Sequence, residues 1–159
     1  MTGRRIEQRG LWFDEFEVGA VYVHAPGRTV TEADNVLFTT LTMNTQSLHL
    51  DAAWSAQQPF GERLVNSMLT LSTMVGASVA QLTQGTIVAN LGFGAVAFPY
   101  PVKHGDTLYF ETLVDSKRLS ESRPGQGIVV LQHGARNQDG VVVATAERSV
   151  LVWCEGSQP

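Results

Sequence analysis

The stretch NTQSLHLDAA, residues 44–53, gathers side chains that can hold and move protons. Asn44, Thr45, Gln46 and Ser47 supply amides and hydroxyls. His49 supplies an imidazole, the side chain whose charge changes closest to neutral pH. An apolar core takes such groups only when each polar atom finds a partner, so the stretch is either a solvated loop or a site. His24, His104 and His133 fall in strand-like or turn-like settings with no carboxylate at ligand spacing, so no metal is expected. Cys154, the single cysteine, has no partner for an intrachain disulfide; it reads as an idle thiol and suits a reducing compartment.

The flanking segments must position that histidine. TEADNVLFTTLT predicts a helix over about 32–41, with Thr31 as N-cap and acidic residues in the first turn, where the helix dipole favours them. It would deliver the chain directly into the polar stretch. DAAWSA, residues 51–56, reads as one helical turn capped by Asp51. NSMLTLSTMVGASVAQLTQG reads as a longer helix running from a capping Asn66 or Ser67 to a terminating Gly85. Its faces are apolar nearly all round, which predicts that it is enclosed. Upstream, AVYVHA reads as a short strand ending before Pro26. Downstream come four runs rich in Val, Ile, Phe and Tyr: TIVANLGFGAVAFPYPV, DTLYFETLVDSKRL, GIVVLQHGARN and VVVATAERSVLVW. NQDG joins the last two as a hairpin turn and RPGQG the middle pair. The expected class is α+β, an antiparallel sheet wrapped around a central apolar helix.

With 159 residues, 43% hydrophobic and 16% charged, the chain is expected to form one globular domain spanning residues 1–159. A net charge of −4 argues against a nucleic-acid surface. No charged residue lies between Arg63 and Lys103, but Asn, Gln and Gly interrupt the segment, which reads as buried core and not as a membrane span. The first ten residues carry charges with no apolar run behind them, so no secretory signal and a cytoplasmic location are expected.

The order of elements and three strings resemble the MaoC-like dehydratases, the (R)-specific enoyl-CoA hydratase branch of the hotdog fold. The family places an Asp five and an Asn three residues before a His; here those positions hold Asn44, Gln46 and His49. FGERLVNSMLTLS stands where the family writes the entry to its central helix, and PVKHGDTLYF matches its turn into the next long strand. The resemblance covers residues from about 15 to 152. It implies a hydro-lyase acting on an α,β-unsaturated acyl-CoA, with no metal and no redox cofactor; coenzyme A is part of the substrate.

On that resemblance, His49 is the proton-transfer group, and Asn44 or Gln46 holds the attacking water. Backbone N–H groups around Ser67 and Met68 then stabilise the enolate-like oxygen. Asn44 departs from the family's Asp and cannot take a proton near neutral pH; its alternative reading is a helix-terminating amide capping local backbone. Ser67 replaces the family's glycine, and Asn66 stands where a His is usual. These departures look like a sub-branch acting on branched C5 dicarboxylic thioesters such as mesaconyl-CoA or itaconyl-CoA. Arg118 and Arg123 are candidate contacts for the coenzyme's phosphates, although a solvated face explains them equally well. A hotdog thioesterase and a non-catalytic acyl-thioester binding protein are the alternative functions. Open sheet edges and an apolar helix face imply a homodimer or a multiple of it, with the site near the subunit boundary.

Overall fold

The computed structural model describes residues 3–158; Met1, Thr2 and Pro159 lie outside them, and the reading of the N-terminus as lacking a leader touches two of these. A short 3₁₀ turn at Phe13–Glu15 precedes β1 (Val21–Thr29), and then come four helices: α1 (Glu32–Leu41), α2 (Ser47–Leu50), α3 (Ala52–Ser55) and α4 (Ser67–Leu82). Four strands follow: β2 (Ile87–Ala97), β3 (Thr107–Leu119), β4 (Gln126–Arg136) and β5 (Val142–Trp153). All five strands form one antiparallel sheet in the order β1-β3-β4-β5-β2, which is the expected α+β class.

Local chemistry explains the element ends. Thr31 accepts from Asp34 N–H, and Asp34 bonds back to Thr31 N–H at 2.8 Å, a capping box that opens α1. Asp51 Oδ1 accepts from Trp54 N–H at 2.9 Å and starts α3. Asn137 Oδ1 accepts from Asp139 and Val141 N–H, closing the β4–β5 hairpin, whose Gly140 sits at a φ of 76°. β1 differs from expectation: it does not end before Pro26 but runs through it to Thr29. Proline is tolerated because β1 is an edge strand, and the register with β3 is irregular between His24 and Arg28.

The core lies between α4 and the inward face of the sheet. Alternate residues of β3, β4 and β5 point into it and divide into two apolar groups. Phe110, Ala135 and Ala146 belong to the group nearer the start of α4, and Val114, Leu131 and Val150 to the group nearer its end. At the inward position between the two groups each strand carries a polar residue: Thr112, His133 and Arg148, all buried. Gln81 Oε1 lies 2.9 Å from His24 Nδ1, His24 Nε2 is 2.8 Å from Thr112 Oγ1, and that oxygen is 2.8 Å from His133 Nδ1. Arg148 Nε donates to Asn90 Oδ1, while His133 Nε2 and Arg148 Nη1 have no hydrogen-bond partner among the described residues. Phe13 packs flat on β4 at Gly127, where any Cβ would overlap its ring.

The expectation that α4 is enclosed all round needs correction. Only the stripe Thr70, Met74, Ser78 and Leu82 is buried. Val75 and Val79 are half-buried and Met68 is exposed, and neighbouring β2 leaves Leu91, Phe93 and Val96 exposed. A helix apolar on several faces states how much cover it needs, and one chain's sheet supplies only part. No helix among the described residues is long and apolar enough to cross a membrane.

Candidate active site

His49 is set in place by how α1 ends. Met43 adopts the left-handed conformation, φ 54°, and donates to Thr40 O, while Asn44 N–H donates to Thr39 O at 3.0 Å. This pair of bonds closes the helix and turns the chain sharply. Asn44 Oδ1 then accepts from Gln46 N–H at 2.9 Å, an Asx turn that leads into α2. His49, half-buried on α2, has its Nδ1 2.9 Å from Leu64 O. A carbonyl oxygen only accepts, so Nδ1 carries the hydrogen and Nε2 keeps the lone pair. That is the tautomer a proton acceptor requires.

The segment from Leu64 to Asn66 joins His49 to the tip of α4. Leu64 N–H donates to Leu48 O and Val65 N–H to Val102 O. Asn66 caps α4, its Oδ1 accepting from Met68 N–H at 3.0 Å. Ser67 N–H, at the first helical position, has no intrahelical carbonyl to bond, and the positive end of the helix dipole adds to its pull on an oxyanion. Behind them lies Asn35, fully buried on α1, whose side chain touches His49 O, Leu64 O, His104 Nε2 and Asn66 N–H. The Asn35 amide nitrogen can only donate, so His104 Nε2 accepts from it, and burial, then the nearby Arg63, hold His104 below the usual imidazole range.

A cavity of about 370 Å³ opens where these parts meet, a volume suited to a small ligand. His49 and Ser67 line it together with Thr70, Phe60, Phe98 and Tyr100, among others. The other expected site residues lie outside this lining. Asn44 is occupied as a local cap, the alternative reading of that residue, and Gln46 is exposed. Met68 cannot join Ser67 as a donor, because Asn66 already takes its N–H. Arg118 and Arg123 sit at the far end of β3 or in the turn beyond it, roughly 35 Å along the strand from its start at about 3.3 Å per residue. Lys103, before the start of β3, is far from them and pairs with Glu62 at 2.5 Å, while Lys117, beside Arg118 on β3, is taken up by Phe13 O. Thr70, Phe98, Tyr100 and Asn35 escaped the sequence reading, since only the folded chain brings them beside His49.

The "MaoC like domain" family profile matches residues 15–135. The chain belongs to this family. The MaoC-like domain is 30% identical over 144 residues to the β-methylmalyl-CoA dehydratase of Chloroflexus aurantiacus, covering 90% of this chain and 40% of that protein. The solved (R)-hydratase from A. caviae superposes with a TM-score of 0.70 at 30% identity, over 86% of this chain and 96% of that one. A Mycobacterium tuberculosis protein with a double hotdog fold superposes with a TM-score of 0.83 at 24% identity, over 97% of this chain and 47% of that one. The sheet and α4 are therefore a hotdog fold. This MaoC-like domain spans 35% to 41% of the length of the curated relatives it matches.

Proposed function

We propose that this domain reversibly adds water across the double bond of an α,β-unsaturated acyl-CoA thioester. The observation that carries the reading is the shared cavity. One imidazole, its Nδ1–H committed to Leu64 O, lines the same space as the first residue of α4. In the forward direction, His49 Nε2 takes a proton from water as the water oxygen bonds to the β-carbon. The electron pair moves through the α-carbon onto the thioester oxygen, where Ser67 N–H stabilises it. The His49 imidazolium then returns a proton to the α-carbon, and the thioester carbonyl re-forms. With Asn44 and Gln46 outside the cavity lining, His49 handles both proton steps. Branched C5 dicarboxylic thioesters such as mesaconyl-CoA or itaconyl-CoA are the favoured substrates, an assignment supported by the departures at Asn44, Asn66 and Ser67 and by a dehydratase relative named for methylmalyl-CoA. The 159 residues act as one hotdog unit in a reducing, cytoplasmic setting, paired with a second copy of the chain.

The test is to follow the enoyl thioester absorbance of crotonyl-, mesaconyl- and itaconyl-CoA with purified protein, while a disulfide reagent reports free thiol. Decay without thiol release is expected, and His49→Ala should lower kcat by about 10²- to 10⁴-fold. Thiol release at the same rate would make it a thioesterase. Saturable binding without turnover by folded protein would make it a binding protein.

A further inference from the structure

We propose that Asn35, a residue of α1 outside the cavity lining, is the positioning residue that sets the His49 imidazole against the tip of α4. This inference rests on the hydratase reading given above. Asn66 N–H, 2.8 Å from Oδ1, fixes which way the Asn35 amide faces, because an N–H must point at an oxygen. The two hydrogens of Nδ2 are thereby turned toward three acceptors: His104 Nε2 at 3.0 Å, His49 O at 3.2 Å and Leu64 O at 3.3 Å. Leu64 O is also the oxygen that receives His49 Nδ1–H, so its two lone pairs serve the imidazole and Asn35 together.

One side chain thus bonds the backbone of the residue that carries the imidazole, the carbonyl that selects its tautomer and the N-cap residue of α4. Asn35 is 0% exposed and touches no part of the cavity, so its influence on the reaction passes entirely through those groups. No hydrophobic residue of similar size can replace it, since it both donates and accepts. Removing it would leave Asn66 N–H and part of Leu64 O unpaired in a buried place, and the segments would shift to find new partners. A displacement of an ångström between base and oxyanion donor costs on the order of 100-fold in rate.

The experiment compares Asn35→Asp and Asn35→Leu with the unaltered chain. Asn35→Asp keeps the volume and the acceptor for Asn66 N–H and loses both donors; Asn35→Leu loses both functions. Steady-state kinetics on the accepted enoyl-CoA should show kcat lowered by about 10- to 100-fold with KM within about threefold. NMR of protein labelled with ¹⁵N-histidine should show His49 as the Nδ1–H tautomer in the unaltered chain and as a mixture in Asn35→Asp. In the unaltered chain the Asn35 amide protons should exchange slowly with solvent. Variants that lose stability yet keep kcat per folded molecule and the same tautomer would overturn the proposal, as would Asn35 amide protons that exchange at the rate of exposed loops. If the unaltered chain hydrates no enoyl-CoA but Asn35→Asp still mixes the tautomers, the hydratase reading fails and the coupling of Asn35 to His49 stands.

Discussion

At the scale of single residues, spacing made His49 and Ser67 legible, and it could do so because both sit beside local signals, a polar turn and a helix cap. Asn35 carried no such signal. In TEADNVLF it occupies an ordinary helical position, and its four partners come from segments 14 to 69 residues away. Met43 shows the same limit in reverse. It lies 86% exposed, at φ 54°, in a conformation that side chains with a Cβ adopt only at a cost. Its side chain contributes little packing, so Met43→Gly should stabilise the fold by about 1 kcal/mol, read as a higher urea midpoint with unchanged slope. A lower midpoint would show that the methionine packs on something that holds the turn.

Among the elements, capping residues and period-two alternation located α1, α3, α4 and strands β2 to β5 because each of these signals acts within a few residues of chain. β1 was cut short because proline ends a strand only where its missing N–H is needed, and at an edge it is not. The degree to which α4 is covered was illegible for a different reason: apolar residues on several faces do not say whose surface covers them. The two sheet edges differ sharply. β1 carries Pro26 and an irregular register, whereas β2 presents eleven residues with exposed Leu91, Phe93 and Val96. An edge of that kind is ordinarily paired or covered. On the proposed pairing with a second copy, the exposed apolar residues of β2 and the adjoining face of α4 are the expected contact. Sedimentation should give twice the chain mass for the unaltered protein, and the double variant Phe93→Lys/Val96→Lys should sediment as a monomer. A dimer unaffected by that variant would locate the contact elsewhere.

For the molecule as a whole, the row of polar residues between the two apolar groups sets the response to acid. His133 is pushed down to about 4, first by burial and then by Arg148 and His24. Burial also lowers His24 and His104. A histidine whose folded value is depressed binds fewer protons in the folded state. Its contribution is therefore complete above the ordinary value near pH 6.5 and is lost as pH falls toward 4. For His133 the difference amounts to about 3 kcal/mol across that window. Carboxylates held low by partners, such as Glu15 and Asp34, respond only at still lower pH. Urea unfolding at about pH 7 and pH 4.5 should show this loss, and His133→Asn, whose amide lies where Nδ1 meets Thr112 Oγ1 and can donate or accept there, should show a smaller one. Equal losses in both proteins would move the acid sensitivity to other groups.

The unequal edges of the sheet also limit how far copies of this chain can associate. A strand blunted by proline on one side and a receptive strand on the other leave no route for head-to-tail stacking. If the sheet borders pair, like meets like across a two-fold axis, and such an isologous join uses the one receptive border in each subunit. On that pairing, assembly through sheet borders would stop at two, and the same asymmetry would disfavour open-ended growth into fibres.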